Sequence, residues 1–452
     1  MNWARKCVKS SSLLPRRLAR RAAAAAVDDA YDPQFSSPED VARCLKLDDF
    51  QTFAERRLPR PLCVQISEKE TPREGTPENA CLARALRYEY LASGTGDEQT
   101  LRENRDAWGR IFLRPRVLRD VARVETRTEL FGQPLSMPVF ISPAGVHKLV
   151  DARGESASAR AADRAGTLFG LSQHATSSIE EVAQGAPDAS RWFQSYILRD
   201  RALTLALVDR ALDSGYAGFF LTVDSVRFGF READARNGFS ALPPPLALAN
   251  YPTAAAWDDR AHAAWDQNTE ALFDAAVSWD DVAWLKARLR GRPLVVKGVM
   301  TGEDAAAALL AGADGVMVSN HGGRQLESSV ATIDVLPEVR EAVGPDVEVI
   351  LDGGVRRGLD IVKGLARGAD SVACGRAYLY GLAAGGFEGG DKSLSLLTRD
   401  VSLAMGLVGC RTVKELKEKG PDILLVRESS ALRQGGIFDR KKAGYTLQPD
   451  LQ

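Results

Sequence analysis

The sequence predicts an α/β protein built as a closed TIM (β/α)8 barrel, with an N-terminal helical extension and a long loop after the fourth strand. Two observations support this prediction. Eight short β-branched or aromatic runs recur from about residue 133 onward, and amphipathic or alanine-rich stretches separate them. Eight such units in roughly 250–300 residues are typical of a closed parallel barrel rather than a doubly wound sheet.

The predicted elements follow the chain in barrel order. The eight strands are expected at MPVFISP, TLFGLSQ, WFQSYI, GFFLTVD, PLVVKGV, GVMVSN, VEVILDGG and SVACG. Helices are expected at residues 204–215, 302–312 and 359–368, and each of these stretches ends in a glycine that suits a helix C-terminus. Ahead of the barrel, the segment SPEDVARCLKLDDFQTFAERRL predicts a short helical piece within linker, and no chemistry is assigned to it.

These patterns divide the chain into four parts. We assign residues 1–27 to a basic extension, 28–80 to an irregular and partly helical segment, 81–420 to the barrel and 421–452 to a tail. The connection after the fourth strand, about residues 225–278, is far longer than the typical 2–6 residues. Because it is rich in aromatic residues, we interpret it as a lid rather than a disordered loop.

Composition narrows the class of protein. The chain has 452 residues, of which 45% are hydrophobic and 26% charged, as in ordinary globular proteins. A net charge of −1 argues against a nucleic-acid surface, and no apolar run reaches the roughly 20 residues that span a bilayer. The six cysteines show no CxxC spacing, so the sequence predicts a reduced protein without a metal site.

The first 27 residues differ in charge from the rest of the chain. They carry seven basic side chains and no acidic one, so the remainder is acidic. Arginine-rich, acid-free N-termini that contain serine and alanine are typical of mitochondrial transit peptides. We therefore expect a mitochondrial location, and a cytoplasmic protein with a disordered extension is the alternative.

Polar residues or glycines stand at the end of all eight predicted strands. They are Pro143, Ala144 and Gly145, Ser172 and His174, Gln194 and Tyr196, Thr222 and Asp224, Lys297, His321, Asp352, Gly353 and Gly354 with Arg356 beyond, and Gly375 with Arg376. Since the carboxyl ends of barrel strands meet at one rim, these groups are predicted to form one site.

The last two units indicate what this site binds. The segments DGGVRRG and CGR place glycine amides and positive charge after strands seven and eight, where barrels often bind phosphate. No GxGxxG fingerprint follows a strand, so flavin mononucleotide (FMN) is favoured over a nicotinamide cofactor. Lys297 is placed to stabilise negative charge on a reduced flavin ring.

At this point the sequence resembles the FMN-dependent 2-hydroxy acid oxidases and dehydrogenases over roughly residues 80–420. The resemblance rests on YEYLASGTGDEQTLREN, ATSSIEEV, LTVDSVRFGFREAD, VKGV, SNHGGRQ and LDGGVRRGLDIVKGLARGAD. It implies that His321 is the active-site base for the substrate's hydroxyl proton or, in a competing account, its α-proton. Asp224 would pair with the resulting imidazolium.

The resemblance also implies substrate and cofactor contacts. Arg324, Arg231 and Tyr90 would bind the substrate carboxylate, and Tyr196 would hydrogen-bond near the hydroxyl. FMN would contact Pro143, Ala144, Gly145, Ser172, Gln194, Thr222, Lys297, Ser319, Asp352, Gly353, Gly354, Arg356, Gly375 and Arg376. The implied partners are a small (S)-2-hydroxy acid, O2 as electron acceptor and further copies of the chain in a homo-tetramer.

Two features of the sequence bear on the preferred substrate and on the electron acceptor. His174 stands where many relatives carry a tryptophan or another apolar residue near the substrate tail, which leaves the preferred acid open. The long insert, its NYP segment and Gly145 most resemble lactate 2-monooxygenase, which favours oxygen as acceptor. The alternatives are a dehydrogenase that passes electrons to a quinone or cytochrome, and a flavin-binding barrel without this redox activity. His147 and His262 are interpreted as structural.

Overall fold

The computed structural model describes residues 38–57, 88–237, 239, 242–243, 245–251 and 272–427. The predicted basic extension 1–27 lies outside these residues, as do His262 and most of the tail. The mitochondrial location therefore stays a prediction, which the location of a fluorescent protein fused to residues 1–27 would test.

The elements alternate along the chain as the sequence predicts. The strands are β1 Ile111–Leu113, β2 Thr128–Leu130, β3 Gln133–Leu135, β4 Val139–Ala144, β5 Leu168–Ser172, β6 Ser190–Ser195, β7 Gly218–Thr222, β8 Leu294–Val299, β9 Gly315–Val318, β10 Glu348–Leu351, β11 Ser371–Cys374 and β12 Leu424–Val426. The helices are α1 Pro38–Arg43, α2 Leu47–Arg57, α3 Gln99–Gly109, α4 Gly154–Arg164, α5 Ile179–Gly185, α6 Arg201–Asp213, α7 Glu232–Asn237, α8 Trp279–Lys286, α9 Gly302–Leu310, α10 Thr332–Val343, α11 Gly358–Ala366, α12 Arg376–Leu407 and α13 Val413–Lys419.

Strands β4 to β11 form a closed parallel barrel, which confirms the predicted fold class. Their order around the barrel is their order in the chain, and β11 closes the circle by pairing with β4. Each of the eight predicted runs overlaps one of these strands, although β6 begins two residues before its run and β4 ends one residue after its run. Because all eight run in the same direction, their carboxyl ends share one rim.

The opposite end of the barrel is closed by a hairpin that the sequence analysis did not predict. Strands β2 and β3 pair antiparallel and contribute apolar side chains to a core cluster under the barrel. Its buried members are Leu130, Leu135, Phe140, Leu168, Trp192, Phe220, Val295, Met317, Ile350 and Ala373. A Cβ at Gly218 would overlap the Trp192 indole, so the absence of a side chain there makes room for the largest residue of the cluster.

The helical piece predicted before the barrel is two helices rather than one. α1 and α2 are separated at Cys44, Leu45 and Lys46. The Asp49 carboxylate accepts hydrogen bonds from the amides of Leu45 (2.9 Å) and Lys46 (3.1 Å), and such bonds satisfy amides at the start of a helix. The second helix, α2, therefore begins separately at Leu47, and it packs along α12.

The connection from β7 to α8 is long, as predicted, and both of its described ends are attached to the rim. On one side, the Asn250 Oδ1 atom accepts a hydrogen bond from the Ile179 amide at 2.9 Å. On the other, the Phe273 carbonyl accepts one from the Arg199 Nε atom at 3.0 Å. Residues 252–271 of the predicted lid lie outside the described residues. Within the described part of the chain, no helix is long and apolar enough to cross a membrane.

The cluster under the barrel generates a stability prediction. Phe220 is fully buried, and its ring centroid lies 5.0 Å from that of Trp192. Phe220→Ala should lower the free energy of unfolding by about 3–5 kcal/mol, because it leaves a cavity in a packed core. Urea denaturation followed by fluorescence would measure the loss. Leu310→Ala is the control, since that side chain is 85% exposed and its loss should change stability by less than about 0.5 kcal/mol.

Candidate active site

A histidine, a carboxylate and a lysine meet at the rim of strands β7, β8 and β9. The His321 Nδ1 atom lies 2.8 Å from Asp224 Oδ1, and Lys297 Nζ lies 3.9 Å from Asp224 Oδ2. The Ser225 hydroxyl donates to the same Asp224 Oδ1 at 2.8 Å. If Nδ1 of the neutral ring donates to the carboxylate, the lone pair remains on Nε2, so the ring can act as a base.

The ionisation states of Asp224 and His321 follow from their burial and from the charges around them. Burial alone would raise the pKa of Asp224, but His321 and Lys297 outweigh it and lower that pKa to about 2. Burial lowers the pKa of His321, and the positive charges of Lys297 and Arg324 act in the same direction, while Asp224 opposes them. The arrangement therefore holds an ionised carboxylate beside an imidazole that is neutral near pH 7.

Ser319 lies behind the base and joins it to the lysine. Its hydroxyl accepts hydrogen bonds from Lys297 Nζ at 3.2 Å and from the His321 amide at 3.1 Å. Ser319 is fully buried and does not line the cavity itself. Asp224 likewise lies beside the cavity rather than in its wall, so these two predicted site residues act through their neighbours.

Two arginines flank one tyrosine on the opposite wall. The guanidinium carbon of Arg324 lies 5.0 Å from the centroid of the Tyr90 ring, and that of Arg231 lies 5.6 Å from it. Arg324 donates to the carbonyls of Tyr90 (2.8 Å) and Ser93 (3.0 Å), and Arg231 donates to Asp234 at 2.6 Å. Fixed in this way, the pair presents concentrated positive charge suited to a carboxylate.

An aromatic group closes the cavity beside the base. The His174 ring centroid lies 5.0 Å from that of Tyr196, 5.7 Å from Phe273 and 5.8 Å from Tyr251. Burial, with a smaller contribution from His321, lowers the pKa of His174 to about 3, so this imidazole is neutral. Burial also raises the pKa of the Tyr196 phenol, which therefore remains a hydrogen-bond donor.

Four side chains that line the cavity each have a buried polar atom without a hydrogen-bond partner among the described residues. The Gln194 Nε2, Thr222 Oγ1, Asp352 Oδ1 and Arg356 Nη1 atoms are buried and make no hydrogen bond to any described residue. The Ser172 hydroxyl donates to Gln194 Oε1 at 3.0 Å, which turns the amide nitrogen of Gln194 away from that contact. Unpaired buried polar groups are costly, so they indicate that a polar ligand completes the site.

The glycines after strands β10 and β11 leave space at one end of the cavity. Gly353 and Gly354 have φ values of +103° and +75°, which side chains rarely adopt. A Cβ at Gly375 would meet nothing closer than the Ser142 Cβ at 4.0 Å, so the backbone there is open to the cavity. With Arg356 beside them, these residues fit a phosphate group.

Around this end the structure differs from the sequence analysis in two places. All three nitrogens of the Arg376 guanidinium donate to backbone carbonyls, those of Leu91, Gly322 and Ser93, at 2.7–2.9 Å. Arg376 therefore holds the loops around the phosphate end as well as lining it. Asp48, in the helical segment to which no chemistry was assigned, lies 4.0 Å from Arg356 Nε.

The structure brings the predicted residues together at one cavity, except for Asp224 and Ser319 just behind it. Its lining includes Tyr90, Pro143, Ala144, Gly145, Ser172, His174, Gln194, Tyr196, Thr222, Arg231, Lys297, His321, Arg324, Asp352, Gly353, Gly354, Arg356, Gly375 and Arg376. Further lining residues that the sequence analysis did not name are Asn104, Arg105, Ser142, Phe228 and Gln325. Asn104 is the last residue of the motif YEYLASGTGDEQTLREN and Arg105 follows it, so that motif was the available signal.

The residues present fit FMN. The open glycine backbone and Arg356 suit its phosphate, and the unpaired Gln194, Thr222 and Asp352 atoms suit its ring and ribose oxygens and nitrogens. Lys297, buried at the same wall, suits negative charge on the ring.

Comparison with known proteins agrees with this geometry. Residues 82–421 match the family model of the FMN-dependent dehydrogenases. The L-lactate oxidase of Nostoc sp. is 46% identical over 338 residues, covering 73% of this chain and 92% of that protein. The 2-hydroxyacid oxidase 1 of Homo sapiens is 42% identical over 380 residues, covering 82% of this chain and 98% of that protein.

Among solved structures, a soluble mutant of the membrane-associated (S)-mandelate dehydrogenase from Pseudomonas putida superposes with a TM-score of 0.73. It is 34% identical, and the match covers 85% of this chain and 100% of that one. The chain therefore belongs to the FMN-dependent dehydrogenase family and is an FMN-dependent oxidoreductase of the 2-hydroxy acid oxidase and dehydrogenase type.

Proposed function

We propose that this protein oxidises a small, lactate-like (S)-2-hydroxy acid to the corresponding 2-oxo acid, with O2 as the electron acceptor. The observation that carries the proposal is the juxtaposition of a base and an anion clamp. His321, paired with Asp224, and the two arginines beside Tyr90 line the same cavity. A 2-hydroxy acid offers both a proton to the base and a carboxylate to the clamp.

His321 takes a proton from the substrate, and Asp224 stabilises the imidazolium that results. The pairing distance of 2.8 Å keeps this charge pair in direct contact throughout. When bound, FMN would supply the redox chemistry by taking up the two electrons and the second proton that the oxidation releases, and O2 would accept these, with the proton held by His321, to give hydrogen peroxide. The protonated Tyr196 phenol donates a hydrogen bond near the substrate oxygen and so orients the hydroxyl group.

The carboxylate of the substrate binds between Arg324 and Arg231. One ion pair at about 4 Å contributes about 4 kcal/mol at an effective dielectric constant of 20, so two fixed arginines orient even a very small acid. Their existing bonds to backbone carbonyls and to Asp234 reduce the freedom that each loses on binding.

The aromatic group around His174 supports a short substrate side chain. His174 and Tyr196 line the cavity, and the buried Tyr251 and Phe273 pack against them with centroid separations of 4.6–5.8 Å. A hydrogen atom or methyl group needs little room there, whereas a phenyl ring needs these side chains to move. We therefore expect glycolate and lactate to be better substrates than mandelate.

Oxygen as acceptor is supported by the two oxidases that are 46% and 42% identical to this chain. The solved dehydrogenase, at 34% identity, supports the alternative that electrons pass to another carrier. Oxidative decarboxylation, as in lactate 2-monooxygenase, is a variant of the same proposal in which peroxide reacts with the 2-oxo acid before release. The homo-tetramer that the family resemblance implies also stays a prediction, which light scattering would test.

Anaerobic mixing with 2-hydroxy acids tests the proposal directly. The purified protein should be yellow, and (S)-lactate should bleach its flavin absorbance without oxygen, whereas (R)-lactate should not. Admission of air should restore the colour and produce pyruvate and hydrogen peroxide in equal amounts. Acetate and carbon dioxide would instead identify the monooxygenase variant, and slow reoxidation by air with fast dye reduction would favour the dehydrogenase. A bound flavin that no 2-hydroxy acid reduces would contradict the proposal.

The base generates a second prediction. His321→Gln should retain FMN and lower the rate of anaerobic flavin reduction by about 10²–10⁴-fold, the usual contribution of a general base. In the wild type the rate should fall with acid only below the ordinary histidine pKa of about 6.5, because the lowered pKa keeps the base neutral at higher pH. Stopped-flow measurements across pH would show this limb and its loss in the variant. An unchanged rate would remove His321 from this role.

The anion clamp generates a third prediction. Arg324→Lys keeps the charge but loses the planar guanidinium, so KM for lactate should rise and the reduction rate should fall, by about 10-fold or more in kcat/KM. Steady-state kinetics would measure both. Arg290→Lys is the control, because that side chain is 56% exposed and pairs with Asp209 and Asp213 on the surface. Equal kinetics for both variants would show that the carboxylate binds elsewhere.

A further inference from the structure

Helix α3 contacts the loop that carries His321 through two buried side-chain amides that hydrogen-bond to each other. Asn104 Nδ2 donates to Asn320 Oδ1 at 2.8 Å, and Asn320 Nδ2 donates to Asn104 Oδ1 at 2.9 Å. Asn104 is 1% exposed and Asn320 is 7% exposed. Asn320 directly precedes His321, so this pair fixes the backbone from which the base projects.

Asn320 is also tied to the turn that follows the base. Its Oδ1 atom accepts from the Gly323 amide at 3.2 Å, and its Nδ2 atom donates to the Val330 carbonyl at 3.1 Å. Between these anchors, His321 has a φ of +56°, a left-handed conformation that is unfavourable for a side chain with a Cβ. Such a conformation persists only where surrounding contacts hold it, and the asparagine pair adds to the bonds that His321 makes with Ser319 and Asp224.

The same face of α3 meets the phosphate end of the cavity. Trp108, one turn after Asn104, donates from Nε1 to the Gly353 carbonyl at 3.1 Å. A Cβ at Gly354 would overlap the Asn104 carbonyl oxygen, and a Cβ at Gly323 would lie 2.7 Å from the Leu101 amide. Helix α3 therefore packs against Gly353 and Gly354 at the phosphate end of the cavity and also against the turn that follows His321.

We propose that Asn104 is a positioning residue that holds the left-handed turn at His321 through its paired hydrogen bonds with Asn320. It acts on the reaction by placing the base, whereas Trp108 on the same helix acts on cofactor binding. The inference rests on the function proposed for His321. The base is faced by Asp224, Lys297, His174 and Arg324, so a small displacement of its backbone changes both its reach and its titration.

Asn104→Ala in the FMN-loaded protein should lower the rate of flavin reduction by about 10–100-fold, because displacing a catalytic group by about 1 Å costs this much. Its affinity for FMN, measured by flavin fluorescence, should change less. Trp108→Phe, which loses the bond to the Gly353 carbonyl but keeps the asparagine pair, should weaken FMN binding more than Asn104→Ala does. Gln99→Ala is the control on the same helix, since it removes only an exposed contact with Ser328.

The titration of His321 gives a readout that needs no substrate. The chain has four histidines, so a protein labelled at the histidine Cε1 gives few NMR signals, and His321→Gln assigns one of them. In Asn104→Ala the pKa of His321 should rise toward its ordinary value of about 6.5 as the partly buried ring becomes more exposed. Should that variant not fold, Asn104→Ser, which is also too short to form the pair, takes its place.

A double-mutant cycle separates positioning from general destabilisation. Asn320→Ala, which also loses the bonds to Gly323 and Val330, should lower the rate at least as much as Asn104→Ala, and the double variant should be no slower than Asn320→Ala. Additive losses, or a His321 titration and reduction rate unchanged by Asn104→Ala, would overturn the inference. A wild type that no 2-hydroxy acid reduces would instead defeat the proposed function, and the titration would still report on Asn104.

Discussion

The buried carboxylate of Asp224 is the group on which the arrangement of the active site depends. Its side chain is 11% exposed, and it faces two potential cations, His321 at 2.8 Å and Lys297 at 3.9 Å. Loss of one partner from such a buried group typically costs about 3–5 kcal/mol, since a charge is left without compensation. The space for this contact depends on Gly298, where a Cβ would lie 2.7 Å from the Asp224 Cβ.

The two ends of the barrel have separate tasks. At the amino end, Trp192 and Phe220 pack against the β2–β3 hairpin, where the Trp192 Nε1 atom donates to Gln133 Oε1 at 3.2 Å, and this end contributes stability. At the carboxyl end, Gln194 lies on the same strand as Trp192 and lines the cavity, and its amide nitrogen has no partner in the described part of the chain. The two side chains are two residues apart and therefore point to the same inner face of the barrel, where Trp192 belongs to the core layer and Gln194 to the site at the rim.

The elements outside the barrel determine how its rim is held. Helix α3 connects the turn of His321 with the phosphate end, and Arg376 binds three carbonyls of the surrounding loops. At the described ends of the long connection, the rings of Tyr251 and Phe273 pack against the His174 ring. In each case a side chain remote in sequence restrains a group at the rim. The geometry of the active site therefore depends on contacts from several distant parts of the chain.

The sequence by itself determined the barrel and the membership of its rim. Strand periods, glycine helix ends and the polar residues that close each strand are local signals, and the parallel closure then places those strand ends together. Only the tertiary structure decided the pairing of Asn104 with Asn320, the approach of Asp48 to Arg356 and the hairpin under Trp192. These contacts join residues far apart in the chain through single side chains, and no periodic pattern records which distant partner a side chain meets.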